Sequence, residues 1–392
     1  MASPPSLDTA KVLRGAWAEI HLDAVRDNVR ALRRALAQGV RFMAVVKADA
    51  YGHGAVHTSR AAVDAGAWSL GVATIEEGLE LRRAGLEVPI LVLGAIPPEG
   101  AEAAVAHGLD VAVFTVETGR ALSRAAVSTG RNARMHLKVD TGLGRIGVAP
   151  HDAAALARAL SALPGAVLEG CFTHFATAHE ADLGPARAQL ETFRAVLASL
   201  DAAGIAVRVR HAANTAGMLA LPEAQFDLVR CGIGVYGIPP APHLADRAGL
   251  RPVMRLYARI AHTRRVEAGT PIGYGRAYRA VLPSTIVTIP VGYADGYPRL
   301  VEQGGCVVRH GRRLPIAGRI SMDMLMVDAG TLPVHVGDTV ELWGEALPVG
   351  EIAAAARTIP HEVLARVSGR VPRVYMQDGR VVAVRTLLGE EA

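Results

Sequence analysis

The sequence predicts an α/β protein, an N-terminal (β/α)8 TIM-like barrel followed by a mainly β C-terminal domain. Three observations predict it. Eight short apolar, β-branched runs between residues 42 and 229 alternate with Ala/Leu/Arg-rich stretches of helical period. A Pro-rich segment, Ile238-Pro-Pro-Ala-Pro242, then stops the beat. Beyond it the runs are strand-like and punctuated by turns. Strand–helix alternation repeated eight times is the arithmetic of a closed parallel barrel. A doubly wound open sheet is the alternative that pattern alone leaves open.

A strand-like segment at 17–22 and an amphipathic stretch at 23–36 come first. Residues 1–22 are expected to join the C-terminal domain, 23–240 to form the barrel and 241–392 the β domain. Barrel strands are expected at 42–46, 68–73, 90–93, 110–114, 135–139, 167–172, 207–210 and 226–229. Between them, Thr74 and Glu77 make a capping box, in which hydroxyl and carboxylate satisfy orphan N–H groups at a helix start. Longer helices are expected at 152–163 and 184–204. In the second half, strands are expected at 254–262, 285–291, 306–309, 324–327, 339–343 and 381–385, with helices only at 349–356 and 360–367.

Composition narrows the function. The 392 residues are 51% apolar and 20% charged, enough for a large core and against wholesale disorder. The net charge of +5 is scattered without a basic stripe, which argues against nucleic acid. Cys171, Cys231 and Cys306 are widely spaced, which excludes a disulfide framework or thiolate zinc site and suits a reducing cytosol. No run reaches the ~18 apolar residues of a membrane span, and residues 1–15 lack the apolar block of a secretory signal. A cytoplasmic protein without membrane partner or metal is expected.

Barrel enzymes build their sites at the carboxyl ends of strands. Here those ends carry Lys47, then Lys138 with Asp140 and Arg145, His174, His211 with Asn214 and Thr215, and Arg230 before Gly232 and Ile233. A single strand-end cation is ordinarily a solvated charge, and a lone histidine a structural one. Polar groups at five of eight ends make a functional mouth the better reading. The loops after the last two strands are the fold's usual phosphate site, and the small residues of 232–234 let main-chain N–H groups face an anion. Gly232-Ile-Gly-Val-Tyr-Gly237 and Gly142-Leu-Gly-Arg-Ile-Gly147 both match a dinucleotide fingerprint, but neither opens a long helix in a βαβ unit. His53 and His57 lack the glutamate of a zincin signature, and a helix surface is their expected setting.

A reactive lysine beside a phosphate pocket points to pyridoxal phosphate held as a Schiff base. From about residue 17 to 375 the chain resembles the bacterial alanine racemases. The resemblance rests on Val46-Lys47-Ala-Asp-Ala-Tyr51-Gly-His-Gly54, His174, His211, Asn214, Arg230-Cys-Gly-Ile233, Gly273-Tyr274-Gly-Arg-Ala-Tyr278, Gly292-Tyr293-Ala-Asp-Gly296 and Gly318-Arg-Ile-Ser-Met322-Asp323, in that order.

The resemblance implies that Lys47 holds the cofactor and serves the D-alanine face, while Tyr274 serves the L-alanine face. Arg230 would face the pyridine nitrogen, supported by His211, with His174 directed towards Tyr274. Tyr51, Thr215, Gly232 and Ile233 match phosphate-binding positions, with Asn214 supporting their loop. Arg145 and the main chain of Met322 match substrate-carboxylate contacts, with Tyr293 and Asp323 lining the mouth. Lys138 matches a lysine that the family often carbamylates; an ordinary Lys138–Asp140 surface pair is the alternative. The resemblance further implies a homodimer with shared sites that supplies D-alanine for peptidoglycan. One segment departs: Ser368-Gly369-Arg-Val-Pro-Arg373 stands where the family often has Ser-Tyr-Arg-Val-Pro-Arg. A broad-specificity or serine racemase on the same scaffold is therefore the alternative function.

Overall fold

The computed structural model describes residues 12–391. The first strand, β1 (Ala16–His21), belongs with the second half of the chain, pairing antiparallel with β10 (Met254–Arg259) and parallel with β19 (Arg373–Gln377). Eight barrel strands lie between: β2 (Arg41–Val45), β3 (Ser69–Val72), β4 (Ile90–Val92), β5 (Asp110–Val113), β6 (Ala133–Lys138), β7 (Ala166–Phe172), β8 (Val209–His211) and β9 (Leu228–Cys231). All are parallel, in the order β8-β7-β6-β5-β4-β3-β2-β9. Placing β9 beside β2 excludes the doubly wound sheet. The ring is nearly closed between β8 and β9, where the Asp227 N–H donates to the Arg210 carbonyl at 3.0 Å and the Arg230 N–H to that of Ala213 at 2.9 Å.

The expected helices form for the expected reasons. Gly184–Ala202 buries Leu190, Phe193, Leu197 and Leu200, a stripe with the three- and four-residue spacing of one helix face. At the start of the helix Ile75–Arg83, the Thr74 hydroxyl accepts from the Glu77 N–H, and the Glu77 carboxylate accepts from that of Thr74.

The remaining strands are β11 (His262–Val266), β12 (Pro271–Ile272), β13 (Tyr278–Arg279), β14 (Ser284–Ile289), β15 (Cys306–Arg309), β16 (Arg312–Pro315), β17 (Leu325–Asp328), β18 (Thr339–Trp343), β20 (Arg380–Thr386) and β21 (Gly389–Glu391). With β1, β10 and β19 they form an eight-stranded sheet, β16-β15-β18-β10-β1-β19-β20-β21, a three-stranded sheet, β11-β14-β17, and the pair β12-β13. The single run expected at 254–262 is two strands in different sheets, β10 and β11. The polar β16 was not expected; the turn at His310 and Gly311, with φ of 47° and 75°, folds it onto β15. Two compact units result: Val25–Ala50 with Ala55–Arg251, and the described residues through Ala24 with Tyr51–Gly54 and those from Pro252 onward. Among the described residues, no helix is long and apolar enough to cross a membrane.

Candidate active site

Lys47 follows the end of β2, and the backbone immediately beyond it is unusual. Ala48, Asp49, Ala50 and Tyr51 all have φ of 52–53°, a full left-handed turn built without glycine. Such geometry is disfavoured by about 1–2 kcal/mol per L-residue, so neighbours must hold it. The Ala50 N–H donates to the Val46 carbonyl at 2.9 Å, the Ala48 N–H to Glu77 Oε1 at 2.7 Å, and the Ala55 N–H to Asp49 Oδ1 at 2.9 Å. Glu77 thus both caps its own helix and pins the turn after Lys47. Burial, then the Arg145 charge, lowers the Lys47 pKa, partly opposed by Glu77. Nothing in the local sequence signals a left-handed turn, since Ala-Asp-Ala-Tyr is compatible with an ordinary helix.

At the ends of β6 to β9 the barrel collects cations on an aromatic floor. Phe172 stacks against His211 with ring centroids 4.7 Å apart; the Arg230 guanidinium and Lys138 Nζ each lie 5.2 Å from the Phe172 centroid. Arg230 is buried, and its terminal nitrogens donate to the Thr173 carbonyl at 2.7 Å, the Ala212 carbonyl at 2.9 Å, His211 Nδ1 at 2.9 Å and His174 Nδ1 at 3.3 Å. All four acceptors are neutral, and burial draws the guanidinium down to about 9, still charged at neutral pH. Burial, then the Arg230 charge, pushes His174 and His211 well below the usual imidazole range, so both stay neutral.

Lys138 is buried, which sets aside the surface-pair alternative. Asp140 Oδ1 instead accepts from the N–H groups of Gly142, Leu143 and Gly144, shaping the loop that leads to Arg145. Burial, then Arg230 and Arg145, lowers the Lys138 pKa to about 8.

The loops after β8 and β9 are equally built. Asn214 caps the short helix Thr215–Ala220 by accepting from the Gly217 N–H at 2.9 Å, and Thr215 Oγ1 accepts from the Gly232 N–H at 3.2 Å. A Cβ at Gly234 would meet Thr215 Cγ2 at 2.7 Å, so glycine lets the 232–234 loop close on Thr215. Ile233 begins a 3-10 turn there.

The expected residues of the second unit form their own group. Tyr274 sits between Gly273 and Gly275, whose φ values of 72° and 68° turn the chain sharply around it. The Tyr293 N–H donates to the Ser321 carbonyl at 3.1 Å and the Ala294 N–H to the Met322 carbonyl at 3.0 Å, tying two loops together. A Cβ at Gly292 would lie 2.3 Å from the Met322 carbonyl, so that approach requires glycine. Buried Asp295 accepts from the Gly292 N–H and from Arg14. Asp323 pairs with Arg370 at 2.7 Å. Tyr274, Tyr293, Arg299, Ile320, Ser321 and Met322 line an open cavity of about 410 Å³. Burial pushes the Tyr51 phenol up to about 12. His53 is buried before the helix Ala55–Asp64, with Nδ1 2.9 Å from the Tyr51 carbonyl, rather than on a helix surface as the spacing implied.

Sequence reasoning missed Glu77, Phe172 and His136. The first was legible only as a cap and the second as an ordinary strand residue. The alternation Arg134-x-His136-x-Lys138, which puts three polar side chains on one face of a barrel strand, was a readable signal for the third.

Comparison with known proteins adds an independent line. Family models for the alanine racemase N-terminal and C-terminal domains match residues 20–240 and 253–375. The alanine racemase of Symbiobacterium thermophilum is 48% identical over 368 residues, 93% of this chain and 97% of that protein. That of Desulfovibrio desulfuricans is 44% identical over 366 residues, 93% and 99% of the two chains. Among solved structures, alanine racemase from Clostridium difficile 630 matches with a TM-score of 0.93 at 37% identity, covering 96% of this chain and 100% of that one. The enzyme from D-cycloserine-producing Streptomyces lavendulae gives 0.90 at 43% identity, covering 93% and 97%.

Proposed function

The chain belongs to the alanine racemases, a family of pyridoxal-phosphate-dependent isomerases, and from that premise we propose that it interconverts L-alanine and D-alanine with Lys47 and Tyr274 as bases on opposite faces of the cofactor. Arg230 carries this reading: a buried guanidinium held by neutral acceptors at the mouth that also bears Lys47. The donor set fits the group. Arg230 is donor-only and would keep a pyridine nitrogen unprotonated. Thr215, Gly232 and Ile233, with Asn214 behind them, would hold the phosphate together with Tyr51. When bound, the cofactor supplies the electron sink that makes the Cα proton of alanine removable.

Lys47 would anchor the group and, once freed, take or return the proton on the D-alanine face; its lowered pKa favours the neutral amine this requires. Tyr274 would do the same on the L-alanine face, with His174 directed towards it and His211 steadying Arg230. Arg145 and the Met322 main chain would hold the substrate carboxylate, with Tyr293 and Asp323 lining the approach. A Lys138 amine titrating near 8 has an appreciable neutral fraction for carbamylation, which would exchange a cation for an anion able to orient Arg145.

The active form is a homodimer in which the exposed Tyr274, Tyr293, Met322 and Asp323 complete the other subunit's mouth. It works in the cytoplasm and supplies D-alanine for peptidoglycan. Gly369 favours a second reading, turnover of serine as well. A Cβ there meets nothing nearer than Leu387 Cδ2 at 3.9 Å, so the position is open where the family's tyrosine would stand. Chiral chromatography of the cofactor-loaded protein with each enantiomer in turn tests both. Alanine of either hand should run to equal amounts of the two enantiomers, with serine slower. Cofactor-loaded protein that leaves both alanines unchanged overturns the proposal.

A further inference from the structure

A line of polar side chains crosses the barrel interior from Arg230 to the opposite end of β5. Arg230 donates to His211 Nδ1 at 2.9 Å, and His211 Nε2 lies 2.9 Å from His136 Nδ1. His136 Nε2 lies 3.7 Å from Asp110 Oδ2, and Asp110 Oδ1 accepts from Arg134 Nε. His136, His211 and Asp110 are all buried. Space is made for the line: His136 registers with Gly170 on β7, where a Cβ would fall 2.1 Å from His136 Nδ1.

Donor and acceptor chemistry fixes every proton in it. A guanidinium only donates, so His211 Nδ1 must accept and its proton sits on Nε2. His136 Nδ1 must then accept in turn, which puts the His136 proton on Nε2, the nitrogen that faces the Asp110 carboxylate. A proton on His136 Nδ1 would reverse the order and aim a His211 N–H at an Arg230 N–H.

We propose that Asp110 and His136 are positioning residues that hold His211 in the tautomer accepting from Arg230, and so fix the guanidinium for the cofactor's pyridine nitrogen. The functional half of this rests on the reading of Arg230 given above; the tautomers do not. Asp110→Asn makes the sharpest probe. Arg134 still needs an acceptor at Oδ1, so the amide NH2 takes the place facing His136 Nε2. That NH2 then opposes the direction Arg230 imposes on the line, and the Nε2 preference of both imidazoles should weaken.

The test is 15N NMR of histidine-labelled, cofactor-loaded full-length protein. Wild type should show His211 and His136 protonated at Nε2. Asp110→Asn should show that preference weakened at both, with an Nδ1-protonated fraction at His136 and His211, kcat lowered up to about tenfold, at most the loss of one charge-assisted hydrogen bond, and KM for alanine nearly unchanged. His136→Leu should weaken the preference at His211, and His136→Asn, whose carbonyl replaces the Nδ1 acceptor, should restore it. A wild-type His211 protonated at Nδ1 overturns the proposal, as does a His211 tautomer that Asp110→Asn and His136→Leu both leave unmoved. The wild-type spectrum decides the tautomer even where a variant fails to fold. A chain that does not racemise alanine but shows the expected tautomers defeats only the functional reading.

Discussion

In the barrel unit, Arg230, His211 and Lys138 are buried and packed on Phe172, with Arg230 bonded to main chain and to His211, whereas in the β unit Tyr274, Tyr293 and Met322 are 69%, 44% and 52% exposed. Both groups are locally well positioned: the barrel set by strand ends, the β set by loops tied at Gly292 and Asp295. The difference lies in solvation. Water is excluded from one set, and the pKa values there move; the other set stands in the open. A pair of bases drawn from both needs a cover over the second set, which is the physical argument for shared sites in a dimer.

The comparison can be broken most severely at Lys47. Lys47→Ala should abolish the bound cofactor's linkage and lower racemisation by more than about 10⁴-fold, because no other amine replaces a covalent anchor and base. A borohydride-fixed cofactor on another lysine, found by peptide mapping, would contradict that. A mixed dimer of Lys47→Ala and Tyr274→Phe chains, isolated by two different tags, should recover about half of wild-type activity, since one site in two keeps both bases. Activity no higher than that of the separate variants would put both bases in one chain.

Lys138 sharpens the contrast in solvation. Its amine is protonated and inert below a pKa of about 8 and neutral above it, where an exposed lysine stays protonated to about 10.4. Labelled bicarbonate should therefore give a carbamate at Lys138, read by 13C NMR, that grows as pH rises through about 8. Growth only above pH 10, or persistence in Lys138→Ala, would refute it. The smallest effect is expected at Gly369. Gly369→Tyr has room at the Cβ and should lower the serine-to-alanine ratio of kcat/KM several-fold, about 1 kcal/mol of discrimination. An unchanged ratio would remove position 369 from substrate selection.

Much of the barrel was legible because its signals are local. Strand ends at Lys47, Lys138, His211 and Arg230 follow from short apolar, β-branched runs and the polar residues that end them. The order of cofactor and substrate residues was legible only through motif resemblance. What escaped depends on distant parts of the chain. The left-handed turn at 48–51 is held by Glu77, nearly thirty residues on, and the break between β10 and β11 comes from two sheets competing for one apolar run. The line from Asp110 to Arg230 escaped because its members come from four strands, and no single strand reveals that their side chains meet.

The central claim, that Lys47 of the barrel and Tyr274 of the exposed β set supply bases to opposite faces of alanine, is tested most directly by hydrogen exchange in Tyr274→Phe. In deuterated water, with each enantiomer followed by proton NMR, this variant should still exchange the Cα hydrogen of D-alanine while racemisation and exchange from L-alanine collapse. Equal loss of exchange from both enantiomers, with cofactor still bound, would contradict the division of labour between Lys47 and Tyr274.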